Sequence, residues 1–278
     1  INSMENYKKK IAKSFNSKSS TYEEYSLVQN EVSKRMIERL KLMKFKPKTI
    51  LDLGSGTGYL SNILKQIFPA SKITCLDISL DMLIECRKKN TKFNLVVADA
   101  ENMPFDNEVF DLVISSFTLH WCEEIEKIFS DIHRYLKNKG VFMFTTVGPN
   151  TLIELNKAYA KIDGEQHVNS FTDMHIYGDS LLKCGFHDPV MDVENLIIEY
   201  SSFANILKSL RKTGANTVIG RKASYMPKES YRKLTNSYEK NEDNGRYPVT
   251  YEMIYGVSWK NIKDNPNKNT DVINIKKI

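Results

Sequence analysis

The chain alternates two kinds of hydrophobic pattern. Thr49–Leu53 is a short apolar run that predicts a strand. Tyr59–Ile67 follows with apolar residues at helical spacing. "KITCLDIS" reads as a second strand, with a helix over Leu80–Lys89. "FNLVVADA" and "VFDLVISSF" read as two more strands, "EEIEKIFSDIHRYL" as a helix and "NKGVFMFTTV" as a fifth strand. Repeated strand–helix units predict a parallel sheet with helices on both faces, and unbroken apolar runs fit strands buried on both sides. Ahead of them, "TYEEYSLVQNEVSKRMIERLKLM" carries Val28, Val32, Met36, Ile37 and Leu40 on one face, which predicts a single amphipathic helix ending before Pro47.

The rhythm changes after Pro149. "TLIELNKAYAKI" and "DMHIYGDSLLKC" predict helices, and "PVMDVENLIIEY" a strand. "FANILKSLRKTG" sets Phe203, Ile206, Leu207 and Leu210 on one helical face. Residues 213–245 are polar, with a helix-like "KESYRKLTNSYEK", and "PVTYEMIYGVSW" alternates like a strand. The expected fold is α/β: a doubly wound, mostly parallel, seven-stranded Rossmann-like sheet. It comprises N-terminal helices (1–47) expected to close over a bound cofactor, a core domain (48–259) with helical lid insertions near 149–185 and 203–246, and a flexible tail (260–278).

The turn in "LDLGSGTGYL" is the first candidate for chemistry. In open α/β sheets ligands bind beyond the carboxyl ends of strands, where strand order reverses. A dinucleotide fingerprint would be GxGxxG, but here Gly58 comes one residue early and Tyr59 takes the place of the third glycine after Gly54 and Gly56. No Gly-Lys-Ser/Thr follows, so a nucleotide P-loop is excluded. Asp52 precedes the turn, which disfavours a pyrophosphate and favours a ligand with an ammonium or sulfonium centre. Asp77 ends the second predicted strand, where an acid accepts from ribose hydroxyls. Asp99 ends the third, with Ala100 next, and a carboxylate beside a backbone N–H can read an adenine edge. Three acids and a glycine turn at strand ends point to S-adenosylmethionine.

Composition narrows the rest. The 278 residues are 41% hydrophobic and 27% charged, with a formal net charge of +6. That balance suits an acidic partner rather than nucleic acid. Cys75, Cys86, Cys122 and Cys184 have no metal-ligand spacing, so free thiols in a reducing, cytoplasmic setting are expected. No apolar run reaches the roughly 18–20 residues of a membrane span, and no signal-peptide pattern opens the chain. No metal is expected: Asp173, His175 and Asp179 in "FTDMHIYGD" read as helix capping and packing.

"DLGSGTG", "LDIS", "ADAE" and "LVISSFTLHW" resemble the class I S-adenosylmethionine-dependent methyltransferases across residues 48–147. Ser55, Ile78, Ala100 and Ser115 lie in these motifs and are carried over as cofactor contacts. The flanking "SFNSKSSTYEEYSLVQ", "TTVGPNTLIEL", "VNSFTDMHIYGDSLLKCGFHDPVMDVE", "LKSLRKTGAN" and "GRYPVTYEMIYGVSW" are similar to the malonyl-acyl-carrier-protein O-methyltransferases of biotin synthesis. The resemblance implies methyl transfer to the free carboxylate of a malonyl thioester, on an acyl carrier protein or coenzyme A. S-adenosylhomocysteine is the coproduct.

A malonate carboxylate is already ionised at pH 7, so no general base is expected and the site has only to align the groups and exclude water. Arg211 is the candidate for holding the malonyl carboxylate. His120 is expected to donate a hydrogen bond, Trp121 to face the acceptor, and Tyr22 and Gln29 to close over the cofactor. Basic residues in "SLRKTGANTVIGRK" and "KESYRKL", Arg221 and Lys222 among them, are candidates for docking an acidic carrier to a monomeric enzyme. Rival expectations are a methyltransferase for a small free carboxylic acid, an assembly factor associated with arginine hydroxylation, and a non-catalytic S-adenosylmethionine sensor.

Overall fold

A computed structural model of the chain describes residues 2–162, 167–213 and 227–260. Helices α1 (Asn2–Asn16), α2 (Tyr22–Tyr25) and α3 (Leu27–Leu42) precede the sheet. Then come β1 (Thr49–Leu53), α4 (Tyr59–Ile67), β2 (Lys72–Asp77), α5 (Leu80–Lys89), β3 (Asn94–Val97), β4 (Phe110–Ser116), α6 (Ile125–Tyr135) and β5 (Leu136–Val147). The second half holds α7 (Ile153–Ala160), α8 (Met174–Lys183), β6 (Phe186–Tyr200), α9 (Phe203–Lys212), α10 (Lys228–Ser237) and β7 (Tyr247–Lys260).

The seven strands form one sheet in the order β3-β2-β1-β4-β5-β7-β6. β1 to β5 run parallel, and β7 inserts antiparallel to both β5 and β6. The order reverses between β1 and β4, so both strands release their carboxyl ends into one crevice. Apolar side chains pack on both faces: Met36, Leu64, Phe203 and Leu234 on one, Phe129, Ile132, Tyr177 and Leu181 on the other.

The N-terminal segment is helical as expected over 1–47 and differs from the sequence expectation at one point. The single helix expected from Thr21 to Met43 is broken at Ser26, whose hydroxyl donates to Tyr22 O at 2.5 Å while its backbone leaves the helical region (φ −86°, ψ 36°). Ahead of it lies α1, which burial of Tyr7 and Ile11 holds in place. α3 is fastened to the far edge of the sheet. Arg35 donates to Glu194 at 2.7 Å, and Arg39 donates to Asp192 at 2.7 Å with its guanidinium 3.8 Å above the Tyr255 ring. The expected tail 260–278 falls, beyond Lys260, outside the described residues, as do Arg221 and Lys222.

Candidate functional site

The glycine turn bends back over β2. The amides of Gly54 and Ser55 donate to Leu76 O at 2.7 and 3.0 Å, and that of Gly56 to Asp77 Oδ2 at 2.8 Å. Gly58 opens α4 in the left-handed region at φ +77°, where a Cβ would lie 2.4 Å from Cys86 Sγ. Gly56 has φ +52° but nothing within 4 Å of a Cβ position. The two glycines should therefore fail differently. Gly58→Ala combines backbone strain with a clash and should lower stability by more than about 2 kcal/mol. Gly56→Ala should cost about 1–2 kcal/mol of stability while its methyl intrudes on the ligand space. Thermal unfolding beside a ligand titration separates the two.

Beyond the turn lies a cleft with an empty volume of about 990 Å³, its mouth included. Asp52, Gly54, Ser55 and Gly56 line it from the first strand and turn, Asp77 and Ile78 from the second strand's end, and Asp99 and Ala100 from the third's. Tyr22, Gln29 and Trp121 complete the set of expected residues that the structure brings together there. Gln29 Oε1 and Ser55 Oγ are buried with no hydrogen-bond partner. Two unsatisfied polar atoms in one cleft are costly unless a ligand engages them.

Three carboxylates set the electrostatics. Burial pushes Asp52 up to about 7, against the Ser61 hydroxyl, which donates to Oδ2 at 2.5 Å. Burial likewise pushes Asp77 up to about 6, although the amides of Ser79 and Gly56 donate to its two oxygens. Asp99 Oδ1 accepts from Glu101 N at 3.0 Å and from Lys8 Nζ at 3.2 Å. A cationic ligand with ribose-like hydroxyls and a base amine fits this donor-poor, acid-rich lining.

Four expected site residues sit elsewhere. Gly58 caps α4 and is absent from the lining. Ser115 turns its hydroxyl into the sheet, donating to Leu53 O at 2.9 Å, and Ser116 reaches the cleft instead. His120 lies behind Trp121, boxed by Phe117, Trp121 and Phe171 with ring centroids 5.0–6.1 Å away. Burial drives it down to about 3, so at pH 7 it is a neutral imidazole. Arg211 is exposed on α9 beside Lys208 and Lys212, whose ammonium groups stand 5.6 and 5.5 Å above the Tyr25 ring.

Other lining residues were not foreseen. α1 supplies Lys8, Ile11 and Phe15, and Phe15 meets Tyr22 and Trp121 edge-on at 6.3 and 5.8 Å. Glu23 from α2 accepts from Thr57 Oγ1 at 2.7 Å and also pairs with Lys89, tying the N-terminal segment to the glycine turn. Among the described residues no His/Cys/Asp/Glu group could hold a metal ion, and Asp173 caps α8 through His175 N at 2.9 Å. No helix among them is long and apolar enough to cross a membrane.

A methyltransferase-domain family matches residues 51–144. The malonyl-[acyl-carrier protein] O-methyltransferase of Gallionella capsiferriformans (strain ES-2) is 37% identical over 263 residues, covering 91% of each chain. The chain belongs to this family. The enzyme of the same name from Laribacter hongkongensis (strain HLHK9) is 37% identical over 265 residues, 91% of this chain and 89% of its own. For the fold, the phosphoethanolamine N-methyltransferase 2 of Haemonchus contortus, solved in complex with S-adenosyl-L-methionine, superposes with a TM-score of 0.55 at 20% identity. That match covers 89% of this chain and 57% of the other. The family's shared length includes the segments after Pro149, which lie outside the methyltransferase-domain match.

Proposed function

We propose that this chain transfers a methyl group from S-adenosylmethionine to the free carboxylate of a malonyl thioester on acyl carrier protein. The product is the malonyl methyl ester that starts pimeloyl and biotin synthesis. The observation that carries the reading is the cleft at the switch point, with Asp52, Asp77 and Asp99 at three strand ends, in a chain of which 91% is shared with a relative of the family. When bound, S-adenosylmethionine supplies a methyl group made electrophilic by its positive sulfur.

The chain's own residues bind, orient and exclude water. Asp52 faces the cationic end of the ligand, and the buried Gln29 and Ser55 oxygens take up its amino-acid donors. Asp77 keeps acceptor capacity for the ribose hydroxyls. Asp99 Oδ2 is left for the adenine amine while Lys8 and Glu101 N hold Oδ1. Phe15, Tyr22 and Trp121 form an aromatic wall that keeps the reacting groups dry. Burial raises the Tyr22 phenol to about 12, so it is a donor at neutral pH, and neutral His120 holds Trp121 in place. None of these groups has to remove a proton, because the acceptor carboxylate arrives ionised.

We assign Arg211, with Lys208 and Lys212, to the face that meets the acidic carrier. α9 packs against α2, and Tyr22 and Glu23 of α2 line the cleft, so the basic face stands beside its mouth. The reading places the reaction in the cytoplasm, in keeping with four free thiols.

The test uses purified protein, methyl-labelled S-adenosylmethionine and malonyl-carrier protein, with mass spectrometry of the carrier. One methyl gained on the malonyl group, matched by S-adenosylhomocysteine, is the expected result. Methylation of free dicarboxylic acids at equal efficiency, or no methyl gain, rejects it.

A further inference from the structure

Ser61 lies outside the cleft, in the first turn of α4, and is completely buried. A helical serine ordinarily bonds back to its own helix or to water. This one gives its hydroxyl proton to Asp52 Oδ2 at 2.5 Å. Its oxygen also lies 3.1 Å from Cys75 Sγ on β2, and Cys75 Sγ lies 3.9 Å from Cys86 Sγ on α5.

A hydroxyl has one proton. Since Ser61 spends it on the carboxylate, Cys75 must be the donor in the next contact, and Cys86 donates to Cys75 in turn. The four side chains form one directed row, Cys86 to Cys75 to Ser61 to Asp52, with every donor pointing toward the carboxylate. The row passes beneath the glycine turn, since Cys86 Sγ is the atom that a Cβ at Gly58 would strike. Donors aligned in this way polarise one another in a dry interior.

We propose that Ser61 is a positioning residue for the cofactor site. Backed by Cys75, it locks the Asp52 carboxylate so that Oδ1 is presented to the cationic end of the ligand. The proposal rests on the cofactor reading above. It also sets the pH at which the cleft accepts a cation. The titratable groups facing Asp52 are Asp77 and Cys75 from β2 and Cys86 from α5, and Asp77 opposes its ionisation. Ser61 is what favours the charged form, through its hydroxyl and its amide.

The experiment measures equilibrium binding of S-adenosylmethionine, S-adenosylhomocysteine and methylthioadenosine across pH 5.5–8.5. Methylthioadenosine has the nucleoside but no amino-acid ammonium. Ser61→Ala should weaken the first two about tenfold, as expected for a lost hydrogen bond to a charged group. Its acid limb should move up by about one pH unit. Methylthioadenosine should bind as to the unaltered protein. Ser61→Thr, which keeps the hydroxyl, should restore both affinity and pH profile. Ser61→Cys, a weaker donor, should fall between and serves where the alanine variant does not fold.

An alanine or cysteine variant with unchanged affinity and acid limb overturns the proposal. So does an equal loss for all three ligands, which would mean general damage to the cleft. If the unaltered protein binds none of them, the cofactor reading has failed rather than the role of Ser61.

Discussion

Replacing Asp52 with asparagine will weaken S-adenosylmethionine binding by at least about a hundredfold and yet make the free protein more stable at pH 8. The two effects share one cause. Asp52 is 1% exposed, and burial pushes its carboxyl up to about 7. In the unfolded chain the group titrates near 3.9. Its contribution to stability is therefore fully present below about pH 4 and lost as pH rises through about 7. Asp77, raised to about 6 by burial, acts in the same direction. At pH 8 the free fold holds two buried negative charges, and only a cationic ligand compensates Asp52. Asparagine keeps an acceptor for Ser61 but removes the charge. The melting temperature of the free variant should rise by roughly 2–4 °C for each kcal/mol recovered. In the unaltered protein, affinity should climb from pH 5.5 to 8 as Asp52 ionises. Below pH 7, binding should release a proton, visible as a buffer-dependent calorimetric enthalpy. The variant should show neither effect. An asparagine variant that binds as tightly as the unaltered protein, with the same pH profile, would mean that Asp52 does not face the ligand's positive charge.

The sheet was legible because its signal is redundant. All seven strands were expected, and the helices over Tyr59–Ile67 and Leu80–Lys89 begin and end where the apolar spacing does. Strand-end acids were readable for the same reason: once a strand's end is known, the next residues must face the crevice. Parity was harder. Ser115 and Ser116 are neighbours on β4, and a slip of one residue exchanges the sheet interior for the cleft. No spacing rule separates two adjacent serines.

α1 falls within the helical segment expected over 1–47, but its own bounds and its role were not legible, for a different reason. Its lysines dominate the local composition, and the stripe Tyr7, Ile11, Phe15 is only three residues long. The i, i+4, i+8 spacing was there to be read, but its meaning is tertiary: it faces the cleft and α5 rather than the sheet. Arg211 lies away from the cleft lining for a related reason. Chemistry nominated a guanidinium for a carboxylate, while the exposed position of its helical face decided where it points.

A chain shortened to begin at Ser17 should keep its sheet and lose about two orders of magnitude in cofactor affinity. The sheet does not depend on α1. α3 is fixed independently by Arg35 on Glu194, by Arg39 on Asp192 and Tyr255, and by Val32 and Met36, which are 0% exposed. The cleft does depend on it. Removing α1 strips Ile11 and Phe15 from the wall, each worth about 1.5–3 kcal/mol when fully buried. It also removes Lys8, whose ammonium lies 3.2 Å from Asp99 and 2.9 Å from Glu101, all three side chains at most 23% exposed. A pair this enclosed is screened less than a surface pair. Glu101 keeps the Glu123 amide at 2.8 Å and Asp99 keeps the Glu101 amide at 3.0 Å, but both lose the ammonium that holds their carboxylates in place beside the cleft. Lys8→Met should reproduce about tenfold of the loss, the usual cost of one charge-assisted contact. The chain has two tryptophans, and Trp121 is the one that meets Phe15 at 5.8 Å. Its emission should shift to the red in the shortened chain while unfolding remains cooperative. A shortened chain with unaltered affinity and unshifted emission would show that α1 does not close the cleft.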